Sequence, residues 1–158
     1  MDKLMDNELN SKLLNYGIWL LSRKEYSERE IRDKFIKKEY DPKECEDVIE
    51  YLKDRKYISD ERFAESYIRY GLNNKWGLGK IKQKILYEKG ISKEILNVIL
   101  EDLQIDETEN IKNIINTKYR KLDISDPKSK QKIFRGLASK GFQINDIIKA
   151  IDEIKKAT

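Results

Sequence analysis

No histidine occurs anywhere in the 158 residues. That absence removes the usual general base, the imidazole ligands of most zinc sites and every serine or cysteine triad. There is one cysteine, Cys45, so no intrachain disulfide can form, which fits a reducing compartment. No apolar run reaches the roughly 18 residues of a membrane span. Residues 1–8 lack the apolar segment of a signal peptide and read as a lead-in, so a soluble, cytoplasmic chain is expected. Prolines number two and glycines seven, too few to punctuate a β-rich chain, and apolar and polar residues nowhere alternate over a strand's length. The carboxylates do not cluster. The glycines of Trp76-Gly77-Leu78-Gly79-Lys80 do not form a phosphate loop, which needs GxxxxGK[ST] after a strand. They are expected to permit a turn into a helix. Neither an enzyme nor a bound cofactor is therefore expected.

What remains is helical. Ser27 with Glu30 makes a capping box, stapled by Tyr26 and Ile31. Asp41-Pro42 and Asp126-Pro127 each pair an N-cap with a first-position proline. Ser59 lies between Ile58 and Phe63, and Ser92 between Ile91 and Leu96, in the same arrangement. Gly90 and Gly141 mark helix ends. The stripes Cys45/Val48/Ile49/Leu52, Leu96/Ile99/Leu100/Leu103 and Ile144/Ile147/Ile148/Ile151 give each helix one apolar face. Cys45, on such a stripe, is expected to be an inert core thiol. Tyr16 and Trp19, within the apolar first helix, are assigned to the core.

The stripes repeat. Cys45 to Leu52 maps onto Leu96 to Leu103 with a shift of 51 residues, and Tyr40, Ile91 and Phe142 are spaced by 51 as well. Ile31 and Phe35 map onto Ile81 and Ile85 with a shift of 50, so the second unit holds one extra residue. The expected architecture is all-α: three tandem three-helix repeats over residues 9–57, 58–105 and 106–156, stacked end to end into an elongated, curved, solenoid-like array.

Charge is segregated by helix. The whole chain carries a net charge of +4. The middle helix of repeat 1, residues 27–39, has net +1, that of repeat 2, residues 78–89, +3, and that of repeat 3, residues 127–140, +5. The helices that follow are acidic or neutral. With the middle helices in line, Arg29, Arg32, Lys80, Lys82, Lys84, Lys89, Lys128, Lys130, Lys132, Arg135 and Lys140 form a basic stripe suited to phosphates or to an acidic polymer surface. Trp76, Tyr70 and Tyr87 lie around the break between the fourth and fifth helices, beside Lys75 and Lys80, where a ring can stack on an unpaired base; Trp76 and Tyr70 are the candidates.

Two stretches resemble the RecX family of bacterial regulators of the RecA recombinase. One runs over residues 20–35, LLSRKEYSEREIRDKF. The other runs over residues 59–69, SDERFAESYIR, and continues through Trp76-Gly77 to residues 81–85, IKQKI, and Lys89-Gly90-Ile91, with DERFAE the most specific part. The resemblance extends over residues 13–151. Family members commonly carry proline where this chain has Leu78, and arginines in the fifth helix where it has lysines. Membership implies three tandem three-helix repeats and binding along the groove of the RecA–single-stranded DNA filament. It also implies inhibition of filament growth, of ATP hydrolysis and of strand exchange, hence roles in recombination, DNA repair and the SOS response. A monomer is expected, with bare single-stranded DNA bound weakly or only within the filament. The competing reading of the residues is an autonomous DNA-binding protein, because three-helix units resemble helix-turn-helix modules.

Overall fold

In the computed structural model, residues 9–157 are described; the lead-in expected over residues 1–8 lies outside the described residues. Helix α1 (Ser11–Arg23) starts at Asn10, whose side chain accepts the Leu13 N–H at 3.0 Å. Ser27 and Glu30 form both arms of the capping box of α2 (Glu28–Lys37). Asp41 caps α3 (Pro42–Asp54), with Pro42 in the first turn. Ser59 caps α4 (Asp60–Asn73) by accepting the Arg62 N–H. Helix α5 begins at Leu78, runs as an α-helix to Gln83 and continues as a π-helix over Lys84–Glu88. Ser92 caps α6 (Lys93–Leu103). Helix α7 (Thr108–Lys118) follows a short link, Asp126 caps α8 (Pro127–Ser139), and α9 (Ile144–Ala157) closes the array. There is no strand among the described residues, and no helix there is long and apolar enough to cross a membrane.

The π-turn accounts for the irregular spacing of the repeats. The offset between repeats 1 and 2 is 50 residues at Phe35/Ile85 and 51 at Tyr40/Ile91. The surplus residue enters between Ile85 and Ile91, where the backbone widens from α to π. A π-turn is how a helix takes up one extra residue without losing its ends.

Each repeat has its own core. Leu13, Ile31, Phe35, Val48, Ile49 and Leu52 fill the first. Phe63, Ile68, Ile81, Ile85, Ile91 and Leu96 fill the second, and Ile111, Ile115, Ile133, Leu137, Ile147 and Ile151 the third. Cys45 is 1% exposed within the first core. Trp19 is not in it. The ring is 52% exposed, with the Arg23 guanidinium 4.9 Å from its centroid. Leu13, Gly17 and Leu20 are the buried face of α1, and Trp19 falls off that face. Tyr16 is half-buried at the edge, its centroid 6.0 Å from that of Phe35.

The repeats join through their middle helices, head to tail. The N-terminus of α2 meets the C-terminus of α5: the Ser27 hydroxyl donates to the Lys89 carbonyl at 2.8 Å. The N-terminus of α5 meets the C-terminus of α8: the Gly77 N–H donates to the Lys140 carbonyl at 2.8 Å and the Gly79 N–H to that of Gly141 at 2.9 Å. Each joint thus sets a helix's positive end against its neighbour's negative end. A carboxylate from the next repeat completes each. Asp60 accepts the Glu28 N–H at 2.9 Å, and Glu107 the Leu78 N–H at 2.6 Å.

Gly77 serves this joint rather than the turn. Its φ of −75° and ψ of 152° suit any residue, but a Cβ on it would strike the Gly141 backbone. Gly141 itself needs to be glycine on two counts, a φ of +96° and the Lys80 backbone against it.

Candidate functional site

The head-to-tail joints set the middle helices end to end, but they also consume part of the charge placed on the expected stripe. Arg29 is a joint residue. Its guanidinium donates to the Tyr87 carbonyl at 3.0 Å and lies over Gly90, at φ +67°, in the space a Cβ would take. Arg32 grips Glu46 in a two-pronged contact of 2.6 and 2.8 Å and reaches Glu28 at 2.8 Å. That guanidinium holds the Glu46 carboxyl below its usual range. Lys89 pairs with Glu30 across the joint at 3.0 Å and sits 5.4 Å from the Tyr67 ring centroid. These three cations hold repeat 1 together and tie it to repeat 2.

The other cations of the stripe lie on α5 and α8. Lys80 and Lys84 stand over the Trp76 ring, 4.6 and 5.6 Å from its centroid, and Lys84 reaches Glu88 at 3.4 Å. Lys82 is half-buried on the same helix. On α8, Lys128, Lys132 and Arg135 are exposed and Lys130 and Lys140 half-buried. None of these five forms an ion pair among the described residues. A groove of about 600 Å³ runs between α5 and the end of α8, lined by Lys80, Gln83, Lys84, Tyr87 and Ser139. Tyr87 stands in it 71% exposed. Tyr87, which the sequence groups with Trp76 and Tyr70 around the break between α4 and α5, lies within the π-turn.

Trp76 and Tyr70 meet edge to face with centroids 5.5 Å apart, and Tyr67 and Phe63 extend the cluster. Trp76 packs against the second core and carries two lysines on its ring, whereas Tyr70 is 55% exposed. Of the two, Tyr70 offers the free face.

Asp60 and Arg62 of the DERFAE segment prove to be joint residues too. Asp60 caps α2 from outside. Arg62 pairs with Glu25 and donates to the carbonyls of Lys56 and Tyr57, both at 3.1 Å. Phe63 and Ala64 are buried. Burial pushes the Asp60 carboxyl above its usual range. It does the same more strongly at the second joint, where Glu107 is 2% exposed. Burial lifts its carboxyl to about 7, with Asp146 and Asp106 adding and the Leu78 N–H and Lys82 opposing. Leu78 supplies the N–H of this contact, which a proline at that position would lack.

Three family models match in tandem: the first three-helix domain of RecX over residues 14–52, the second over 59–97 and the third over 105–151. The regulatory protein RecX of Haemophilus influenzae Rd is 32% identical over 146 residues, covering 92% of this chain and 96% of that protein. That of Mannheimia succiniciproducens is 38% identical over 133 residues, 84% of this chain and 87% of the relative. The crystal structure of RecX from Lactobacillus salivarius superposes with a TM-score of 0.81 at 26% identity, covering 92% of this chain and 96% of the other. Matched in each of its three repeats and over most of its length, the chain belongs to the RecX family of regulatory proteins.

Proposed function

We propose that this protein regulates homologous recombination and DNA repair by binding the RecA–single-stranded DNA filament. There it inhibits filament growth, ATP hydrolysis by the recombinase and strand exchange. It acts as a cytoplasmic monomer and needs no cofactor. Family membership supports regulation of RecA. The observation that carries the contact surface is the head-to-tail line of α5 and α8, with five cations of α8 free of ion-paired acids among the described residues. Lys80, Lys82 and Lys84 continue that line on α5. Arg29, Arg32 and Lys89 act behind it, as residues that hold repeat 1 together and tie it to repeat 2.

An extended array of units suits a helical filament. Several weak contacts on one rod reach neighbouring protomers at once, and each bound contact raises the effective concentration of the next. The free lysines face either DNA phosphate in the groove or acidic recombinase surface, and both are screened by salt.

Reversing Lys128, Lys130, Lys132 and Arg135 to Glu tests the surface. The variant is expected to keep its helical content and thermal midpoint, because these side chains hold nothing together. It is expected to lose filament binding at moderate salt. Unchanged binding would remove α8 from the contact surface. Binding to bare duplex as tight as to the filament would favour an autonomous DNA-binding protein instead.

A further inference from the structure

An aromatic set with its lysines recurs in repeats 1 and 2. Trp19 on α1 and Tyr70 on α4 occupy equivalent positions, 51 residues apart, and are 52% and 55% exposed. Each has a second ring three residues earlier: Tyr16 with its centroid 6.3 Å from Trp19, and Tyr67 with its centroid 6.1 Å from Tyr70. Lys38, the C-cap of α2, stands 5.5 Å from the Tyr16 ring, and its counterpart Lys89, the C-cap of α5, stands 5.4 Å from that of Tyr67. Lys34 stands 5.3 Å from the Tyr26 ring, and its counterpart Lys84 5.6 Å from that of Trp76. Three rings and two lysines thus recur at equivalent positions, with Tyr16 and Trp19 stacked at 19° and Tyr67 and Tyr70 tilted at 39°. Repeat 3 lacks the set, since its one tyrosine, Tyr119, is 7% exposed.

The two copies are joined. Lys24 lies 4.8 Å from the Tyr26 ring in repeat 1 and, with Glu25 and Glu30, which pair with Arg62 and Lys89, lines a groove of about 490 Å³ whose other wall is Phe63, Tyr67, Tyr70 and Trp76 of repeat 2. In repeat 1 the cations are unspent: Arg23, Lys24, Lys34 and Lys38 form no ion pair among the described residues.

We infer that this ring-and-lysine face of repeats 1 and 2 is a track for single-stranded nucleic acid, with Trp19 and Tyr70 as base-stacking platforms and Arg23, Lys24, Lys34 and Lys38 at the phosphates. The chemistry selects this ligand over others. An unpaired strand presents a flat π-face and an anion at every step, and exposed rings flanked by cations meet both. A duplex keeps its base faces inside the stack. An acidic protein surface would engage the lysines but give the two equivalent exposed rings nothing to cover. The face is separate from the α8 cations and needs no recombinase.

The test uses the full chain alone, titrated with a short oligothymidylate. Tryptophan fluorescence is expected to be quenched, and a duplex of equal length to leave it unchanged. Trp19→Ala with Tyr70→Ala is expected to weaken binding about tenfold or more, with Trp19→Phe retaining most of the affinity. Both rings are half-exposed, and a thermal melt followed by circular dichroism checks the fold. Should the double variant fail to fold, Lys34→Ala with Lys38→Ala takes its place; it is expected to weaken binding and flatten its salt dependence. Folded variants that bind oligothymidylate like the parent overturn the inference. So does a fluorescence response to polyglutamate with none to oligothymidylate, which would assign the face to an acidic protein partner.

Discussion

Gly77 and Gly141 lie backbone against backbone, so close that neither has room for a methyl group. Two hydrogen bonds cross this contact, and they set the N-terminus of α5 against the C-terminus of α8. Substituting Gly77 by Ala is therefore expected to destabilise the chain by about 1–3 kcal/mol through overpacking. The loss should fall on the joint. In urea denaturation of the G77A protein, repeat 3 is expected to unfold before repeats 1 and 2, turning one transition into two. A single unshifted transition would show that the joint tolerates the methyl group.

Glu107 gives the same joint a pH dependence. Its carboxyl stands at about 7 in the fold against an ordinary 4.5. Between those values the folded protein holds a proton that the unfolded chain has released. Stability contributed by this proton is present at the acid side and is lost as pH rises through the window toward 7. Thermal midpoints measured from pH 5 to pH 8 are expected to fall with pH, and Glu107→Gln to flatten that slope. A midpoint for Glu107→Gln that declines as steeply as the parent's would assign the pH dependence to other groups.

Arg32 lies on the basic stripe in sequence, yet it holds Glu46 and Glu28 within repeat 1. Arg32→Ala is expected to cost roughly 1 kcal/mol, the upper range of partly exposed pairs because two carboxylates lose their partner. Filament binding of the folded variant should be unaltered. A loss of filament binding at unchanged stability would return Arg32 to the contact surface.

Cys45 is buried on the apolar stripe of α3, with its thiol 3.8 Å from the Tyr40 carbonyl. Replacing it with Ala leaves a small void and is expected to lower stability by about 1–2 kcal/mol. Regulation of the recombinase should not change. A fall in regulatory activity without a fall in stability would contradict a purely structural thiol.

The helices and their caps were legible because each is a local event. Ser27, Asp41, Ser59, Ser92 and Asp126 cap within three residues of themselves, and periodic stripes follow them. The repeat was legible because its units share that local grammar, and even the surplus residue of repeat 2 showed as a change of offset. Its form as a π-turn did not show. The joints were not legible, because their partners are distant in the chain: Ser27 and Lys89 are 62 residues apart, Arg29 and Tyr87 58, Glu30 and Lys89 59. A lysine on a solvated face and a lysine crossing a joint look alike in sequence. Trp19 misled for a related reason: it sits in an apolar stretch, but one position off the buried face set by Leu13, Gly17 and Leu20.

The central claim is regulation of the RecA filament by an array that bridges its protomers. The most direct measurement is the rate of ATP hydrolysis by the cognate RecA on single-stranded DNA as this protein is added below one copy per recombinase. The account predicts a fall in rate at substoichiometric amounts, since one array touches several protomers and blocks growth beyond itself. An unchanged rate, alongside tight binding to bare DNA, would contradict it and leave a DNA-binding protein that shares the family's fold.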